Sequence, residues 1–138
     1  MSLSNRTLPV LNDENRAFWT GGANGQLLVH RCDSCRRWSH PPAASCASCG
    51  GALHPEPVSG EATIFTFTEN HQPFHPDVAP PYVVAIVELV EQPDLRLVTN
   101  IVNGDTDALR CGTQVRVLFE DHGEVFVPLF APVEGAVP

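Results

Sequence analysis

The chain has 138 residues, 43% of them apolar and 17% charged, which is room for one ordinary domain or two very small ones and enough apolar matter to exclude wholesale disorder. All eight basic residues are arginine; residues 1–50 balance at +2, whereas residues 51–138 set three arginines against thirteen acids and balance at −10. That acidic half repels phosphate backbones, which argues against a nucleic-acid-binding protein, and no apolar run reaches the roughly 18 to 20 residues of a membrane-spanning helix.

Residues 1–10 lack the apolar stretch of a secretory signal, so a cytoplasmic protein is expected. Asn12 is placed to cap a helix over residues 13–19, with Asp13 and Glu14 in the first turn where the helix dipole favours acids, and Gly21 and Gly22 are expected to end it. Residues 26–31 then read as a short strand.

Four of the five cysteines follow: Cys32, Cys35, Cys46 and Cys49, spaced C-x2-C-x10-C-x2-C. Thiolates two residues apart can point at one tetrahedral ion, and two such pairs close a four-sulfur site with no open position. In a reducing compartment this spacing favours a metal over disulfides, and a structural zinc is the expected cofactor. Sulfur ligands also suit iron, and a redox dithiol would need only one such pair. Gly50 follows the second pair, but Arg36 stands at the equivalent place after the first.

Residues 53–60, with Pro55 and Pro57, read as an extended linker, after which the pattern becomes all-β. Residues 62–69 alternate Phe65 and Phe67 with threonines. A proline-rich loop carries His71 and His75, which are either solvated or a second pair of metal ligands. Residues 82–90 are apolar on both faces; residues 95–102 put Leu95, Leu97, Thr99 and Ile101 on one face. Residues 114–120 and 124–130 complete five strands, with a longer connection between the third and fourth, as suits an OB barrel. Residues 131–138 read as a frayed tail.

The fold class expected is therefore mainly β: an N-terminal helical segment (1–25), a rubredoxin-like zinc ribbon (26–57), a five-stranded OB-fold barrel (58–131) and a tail (132–138). Cys111 has no partner and reads as a small buried hydrophobe or a reactive thiol. Arg31, Arg36, Arg37 and His40 form a basic cluster beside Trp38, suited to a nucleotide diphosphate, to an acidic partner surface, or to solvation alone. Val98, Val102 and Leu118 add apolar groups to strand faces opposite the core, and Tyr82 opens the strand that is apolar on both faces, as helix packing, a subunit interface or plain barrel closure would require. No nucleophile, base and orienting group stand at readable spacing, so no turnover is expected of the chain alone.

The helix with Phe18 and Trp19, the strand Leu27-Leu28-Val29-His30-Arg31-Cys32, the four-cysteine ribbon, Val58-Ser59-Gly60, Pro81-Tyr82, Gly112 and Pro128-Leu129-Phe130 together resemble the zinc-ribbon plus OB-fold family known as domain of unknown function family 35. The resemblance spans roughly residues 13–131 and departs from the family at Arg36, where glycine is usual, and at Ala43 and Ala44, where an arginine is common. It implies an accessory subunit. Such proteins partner thiolase-like proteins, sterol-carrier-type thiolases acting as aldolases, or hotdog-fold enoyl-CoA hydratases, in acyl-CoA metabolism that includes steroid and aromatic-acid degradation. It also implies acyl-CoA handling by the complex. The competing class is a single-stranded nucleic-acid module, with Phe65, Phe67 and Tyr82 stacking bases; the charge of the barrel half weighs against it.

Overall fold

The computed structural model describes residues 8–71 and 81–133. The proline-rich loop with His75 and the last five residues lie outside the described residues.

Asn12 and Asn15 cap the first turn reciprocally: the Asn15 N–H donates to Asn12 Oδ1 and the Asn12 N–H to Asn15 Oδ1, both at 2.8 Å. Regular helix α1 is shorter than expected, Arg16–Thr20, because residues 12–15 form the capped turn that precedes it. Gly21 and Gly22 do not stop the chain. They tighten it into a 3-10 turn over Gly21–Asn24, which reverses at Gly25 in the left-handed conformation.

Strands β1 (Leu27–Cys32), β2 (Trp38–Ser39) and β3 (Leu53–Val58) form a three-stranded antiparallel sheet in the order β2-β1-β3. The segment expected to be a linker is thus extended but paired, Leu27 opposite Val58 through Cys32 opposite Leu53. Its prolines are two residues apart on an edge strand, so both missing donors fall on one side of the strand, where the sheet's outer edge tolerates them.

Strands β4 (Glu61–Asn70), β5 (Tyr82–Leu89), β6 (Arg96–Ile101), β7 (Gln114–Asp121) and β8 (Phe126–Pro132) close a barrel in the order β4-β5-β6-β8-β7. β6 meets β8 in parallel at Ile101 and Phe130, and β4 returns to β7, giving the expected OB topology. A bulge between Ile64 and Thr66 bends β4, so that one strand serves β5 and β7 and Phe65 is turned outward. Ala131 and Pro132, read as tail, belong to β8, and the Val133 N–H donates to Gln114 O. Alternation decides the inside: Val83, Ala85, Val87 and Leu89 of β5 are buried, while Tyr82, Val84 and Ile86 are only partly covered.

Ribbon and barrel share one core. Leu27, Val29 and Trp38 from the ribbon sheet and Phe18 from α1 pack in the same buried cluster as Ile64, Val87, Leu97 and Phe130 of the barrel. At the junction Gly60 has φ +83, and a β-carbon there would meet Val117 Cγ1 at 2.4 Å; only glycine serves. The β5–β6 turn grips the ribbon: the Trp38 N–H donates to Gln92 Oε1 at 2.9 Å and Gln92 Nε2 donates to Trp38 O at 3.1 Å, a side-chain amide pairing as a strand would. Beside it the Ser59 N–H donates to Glu91 Oε2 at 2.7 Å. His40 packs against Phe18 with ring centroids 4.8 Å apart, and its Nδ1 is buried without a partner. Burial, helped by the nearby His30, pushes the His40 imidazole down to about 4.

Two outcomes are expected. Gln92→Ala strips both partners from the Trp38 backbone and should cost about 1–3 kcal/mol in urea unfolding, with Gln92→Glu, which retains only the acceptor, in between. His40 binds protons more weakly folded than unfolded, so stability is full above about pH 6.5 and is lost as pH falls toward 4. At pH 5 the loss attributable to His40 should be about 2 kcal/mol, read as the difference between wild type and His40→Gln across a pH series.

Candidate metal centre and partner-facing surface

Two equivalent turns build the cysteine centre. The Arg36 N–H donates to Cys32 O at 3.0 Å in the first, and the Gly50 N–H donates to Cys46 O at 2.8 Å in the second. Both turns need a left-handed residue at that place: Gly50 has φ +75 and Arg36 φ +63. The departure of Arg36 from the glycine expected there therefore leaves the turn intact, at a conformational cost of about 1 kcal/mol.

The four sulfurs lie within 4.8 Å of one another, with Cys32 and Cys49 at 3.4 Å and Cys35 and Cys46 at 3.7 Å. A tetrahedral ion with sulfur at about 2.3 Å requires sulfurs about 3.8 Å apart, so the donor set fits one metal ion. The Cys35 N–H, 3.5 Å from Cys32 Sγ, is the largest influence holding the Cys32 thiol down to about 6. The Cys49 and Ser48 backbone N–H groups lower Cys46 in the same way. At Cys49 the Gly51 N–H also lowers the pKa, but the neighbouring thiols Cys32 and Cys35 outweigh it and push that thiol up to about 11. Four crowded thiolates repel one another; a cation at their centre relieves this. Cys111 is exposed rather than buried, because it sits in the turn before β7 instead of in a strand.

The basic cluster is divided by the fold. Arg31 lies over the Trp38 ring, 4.6 Å from its centroid, and donates through Nε to Arg36 O at 2.8 Å. Arg31 and Arg36 also flank Glu56 at 3.6 and 3.1 Å. Trp38 is buried, and His40, titrating near 4, brings no positive charge at neutral pH. Arg36 and Arg37 are left on the surface, and among the described residues Arg37 has no ion-pair partner. Glu56 was not legible as a counter-ion, since only the β1–β3 register sets it beside Val29 and Arg31. His71 pairs with Glu69 at 3.2 Å.

The outer face of the barrel carries a groove of about 490 Å³ between α1 and strands β5, β6 and β8, walled by Phe18, Trp19, Tyr82, Val98 and Val102. Val98 is 74% exposed. A neighbouring chamber of about 530 Å³ is walled by Leu118, Phe119, Glu120 and Asp121, and shares Val102 and Leu129 with the first. Tyr82 and Val98 therefore belong to one chamber and Leu118, partly buried on Val125, Val127 and Leu129, to the next. Helix packing was one expected use of these apolar faces, but that Phe18 and Trp19 supply the wall was not legible, because no local pattern tells which strand face a short helix will border. Phe65 has Arg96 over one face of its ring at 3.7 Å and is otherwise exposed, whereas Phe67 packs on the core. No helix among the described residues is long and apolar enough to cross a membrane.

Comparison with known proteins agrees with this geometry. The rubredoxin-like zinc ribbon domain of ChsH2 matches residues 19–54, and the C-terminal OB-fold domain of ChsH2 matches residues 55–120. A probable enoyl-CoA hydratase alpha subunit from Thermomonospora curvata is 36% identical over 136 residues, covering 96% of this chain; the chain spans 41% of that protein's length. A solved structure described as an Ltp2–ChsH2(DUF35) aldolase aligns at TM-score 0.81 and 31% identity, covering 91% of this chain and 98% of the matched one. A DUF35-family protein of unknown function from Sulfolobus solfataricus shares the fold at TM-score 0.63 and 14% identity, covering 88% of this chain and 87% of its own. With ribbon and barrel matched in order and along nearly its whole length, the chain belongs to the DUF35 family, in its ChsH2 branch.

Proposed function

We propose that this chain is a non-catalytic accessory subunit of a thiolase-like acyl-CoA enzyme, a thiolase or a retro-aldolase, and that it supports assembly and acyl-CoA binding in the complex. One observation supports the reading: a chain of a solved structure described as an Ltp2–ChsH2(DUF35) aldolase aligns with almost the whole of this one, ribbon and barrel together. The barrel groove at Tyr82, Val98 and Leu118 is the partner-facing surface in this reading, and the ribbon arginines Arg36 and Arg37, backed by Arg31, Trp38 and His40, stand toward the CoA phosphates. The name of the Thermomonospora curvata relative favours a second reading, in which the partner is a hotdog-fold enoyl-CoA hydratase. In this reading the protein works in the cytoplasm and in lipid or steroid degradation.

Zinc is the metal that Cys32, Cys35, Cys46 and Cys49 hold in this proposal. When bound it supplies a cross-link between the two turns, and four sulfurs leave no position for substrate or water. The thiolates are oriented by the Cys35 and Cys49 N–H groups, and Trp38, three residues beyond Cys35, conveys the position of the ribbon to the barrel.

Purified chain should contain one zinc per molecule by elemental analysis, and Cys46→Ser should lose it. Metal binding in such ribbons is worth on the order of 10 kcal/mol to local folding. Because the ribbon shares its core with the barrel, the variant should lower the main thermal transition as well as melt the ribbon. Turnover should require the partner: the chain alone should show no thiolysis, aldol cleavage or hydration above buffer, and robust activity from it alone overturns the accessory reading. With the partner present, Arg37→Ala should raise the acyl-CoA concentration needed for half-maximal rate on the order of tenfold, as expected for one lost charge-assisted phosphate contact.

A further inference from the structure

The barrel closes sparingly along one seam. β6 pairs with β5 over its whole length, Arg96–Ile101, whereas on its other side it meets β8 at a single pair, Ile101 and Phe130. Pro128 accounts for where that ladder ends. Two residues before Phe130 it has no N–H to give, and its carbonyl oxygen accepts from the Thr99 hydroxyl at 3.1 Å. Backbone parity shows what is left open. The Leu89 N–H donates to Leu95 O at 2.8 Å and the Val102 N–H to Phe130 O at 2.9 Å, so the odd-numbered peptide groups of β6 face β5 while those of Arg96 and Val98 face the seam.

The first chamber of the groove opens on this seam. Its walls take in every residue from 97 to 102 and from 127 to 129, so it runs along the edges of both strands as well as over their faces. Trp19 of α1 stands in the same wall, and Val98 is 74% exposed at the mouth. Other strand edges are protected against further pairing. β2 is two residues long, β3 carries Pro55 and Pro57, and the free end of β4 carries Thr66, Thr68 and Glu69. The seam edge of β6 has no proline, and its one charged side chain, Arg96, is turned onto the Phe65 ring at 3.7 Å and onto Glu88 at 3.3 Å. An apolar edge left without protection is a place for another strand.

Resting on the partner reading above, we propose that the partner subunit adds an extended segment to the seam edge of β6, its peptide groups pairing with the Val98 N–H and C=O and its side chains filling the chamber beside Trp19. The open peptide groups select the kind of occupant: a helix bonds its own N–H and C=O groups internally, whereas an extended segment has them to offer. The walls select its composition. No charged side chain lines the chamber, so apolar or hydroxyl side chains fit it, and the balance of −10 over residues 51–138 disfavours an acidic segment. The same charge opposes a second copy of this barrel, anionic lipid and nucleic acid.

The test uses the full chain and each thiolase-like acyl-CoA enzyme encoded in its source organism. In site-resolved hydrogen exchange, binding should slow the Val98 amide by at least about a hundredfold more than the amides of Leu97 and Thr99, which β5 already holds. In titrations Val98→Pro, which removes the seam-facing donor and leaves the bonds to β5, should raise Kd by at least about thirtyfold. Val98→Thr keeps the peptide group and should raise it by no more than about threefold. The exchange reading needs no variant, so it decides even if Val98→Pro fails to fold. A photo-crosslinking p-benzoyl-phenylalanine at position 98 should capture a single non-helical partner segment. If a complex forms while the Val98 amide exchanges as in the free chain, the seam inference fails and the partner reading stands. Equal losses in the two variants, or crosslinks to a partner helix or to a second copy of this chain, overturn it as well. If no thiolase-like enzyme binds the wild-type chain, both fall.

Discussion

Trp38 is held on two counts: its backbone is paired with the side-chain amide of Gln92, and its indole lies in the buried cluster that fills the barrel. Leu27 and Val29 join it in that cluster, so a ribbon sheet of only three strands, one of them two residues long, is stabilised chiefly by what it buries against the barrel. The metal centre sits at one end of this sheet, and Cys35 is three residues from Trp38. What orders the cysteines therefore also orders the contact with the barrel. Ribbon and barrel are better understood as one folding unit with the four-cysteine centre at its edge than as two modules on a string.

The same arrangement explains why α1 matters although it is only five residues long. An isolated helix of that length has no stability in water. Here Phe18 is buried between ribbon and barrel, edge-on to Trp19 at 4.9 Å and against His40 at 4.8 Å, so tertiary packing supplies what propensity lacks. Its partly exposed flank then forms a wall of the barrel groove. The groove is thus assembled from three parts of the chain whose mutual placement depends on the shared core.

Charge is distributed with similar economy. Arg31 and Arg36 are tied to Glu56 and to the Trp38 ring, which stiffens the ribbon and removes two of the five arginines of the first fifty residues from general electrostatics. The barrel arginines are likewise engaged by local acids or carbonyl oxygens. Arg37 is left exposed on the ribbon and Asp121 on the rim of the second chamber, while Glu120 beside it is buried against His122.

The amino-acid sequence by itself determined the metal centre, the number and alternation of the barrel strands, and the order of ribbon and barrel. These are local signals: four cysteines at ligand spacing, and side chains alternating with period two. It also placed Tyr82, Val98 and Leu118 opposite the core, since parity within a strand needs no knowledge of its neighbours. Only the tertiary structure decided that residues 53–58 are a strand, because an edge strand carrying two prolines is recognisable only once β1 lies beside it. It alone took Trp38 and His40 out of an apparently exposed basic cluster, paired Arg31 and Arg36 with Glu56 across twenty or more residues, and kept Ala131 and Pro132 in the barrel instead of a tail. Each of these outcomes rests on register, packing or desolvation between segments distant in sequence, and no window along the chain contains both partners of such a contact.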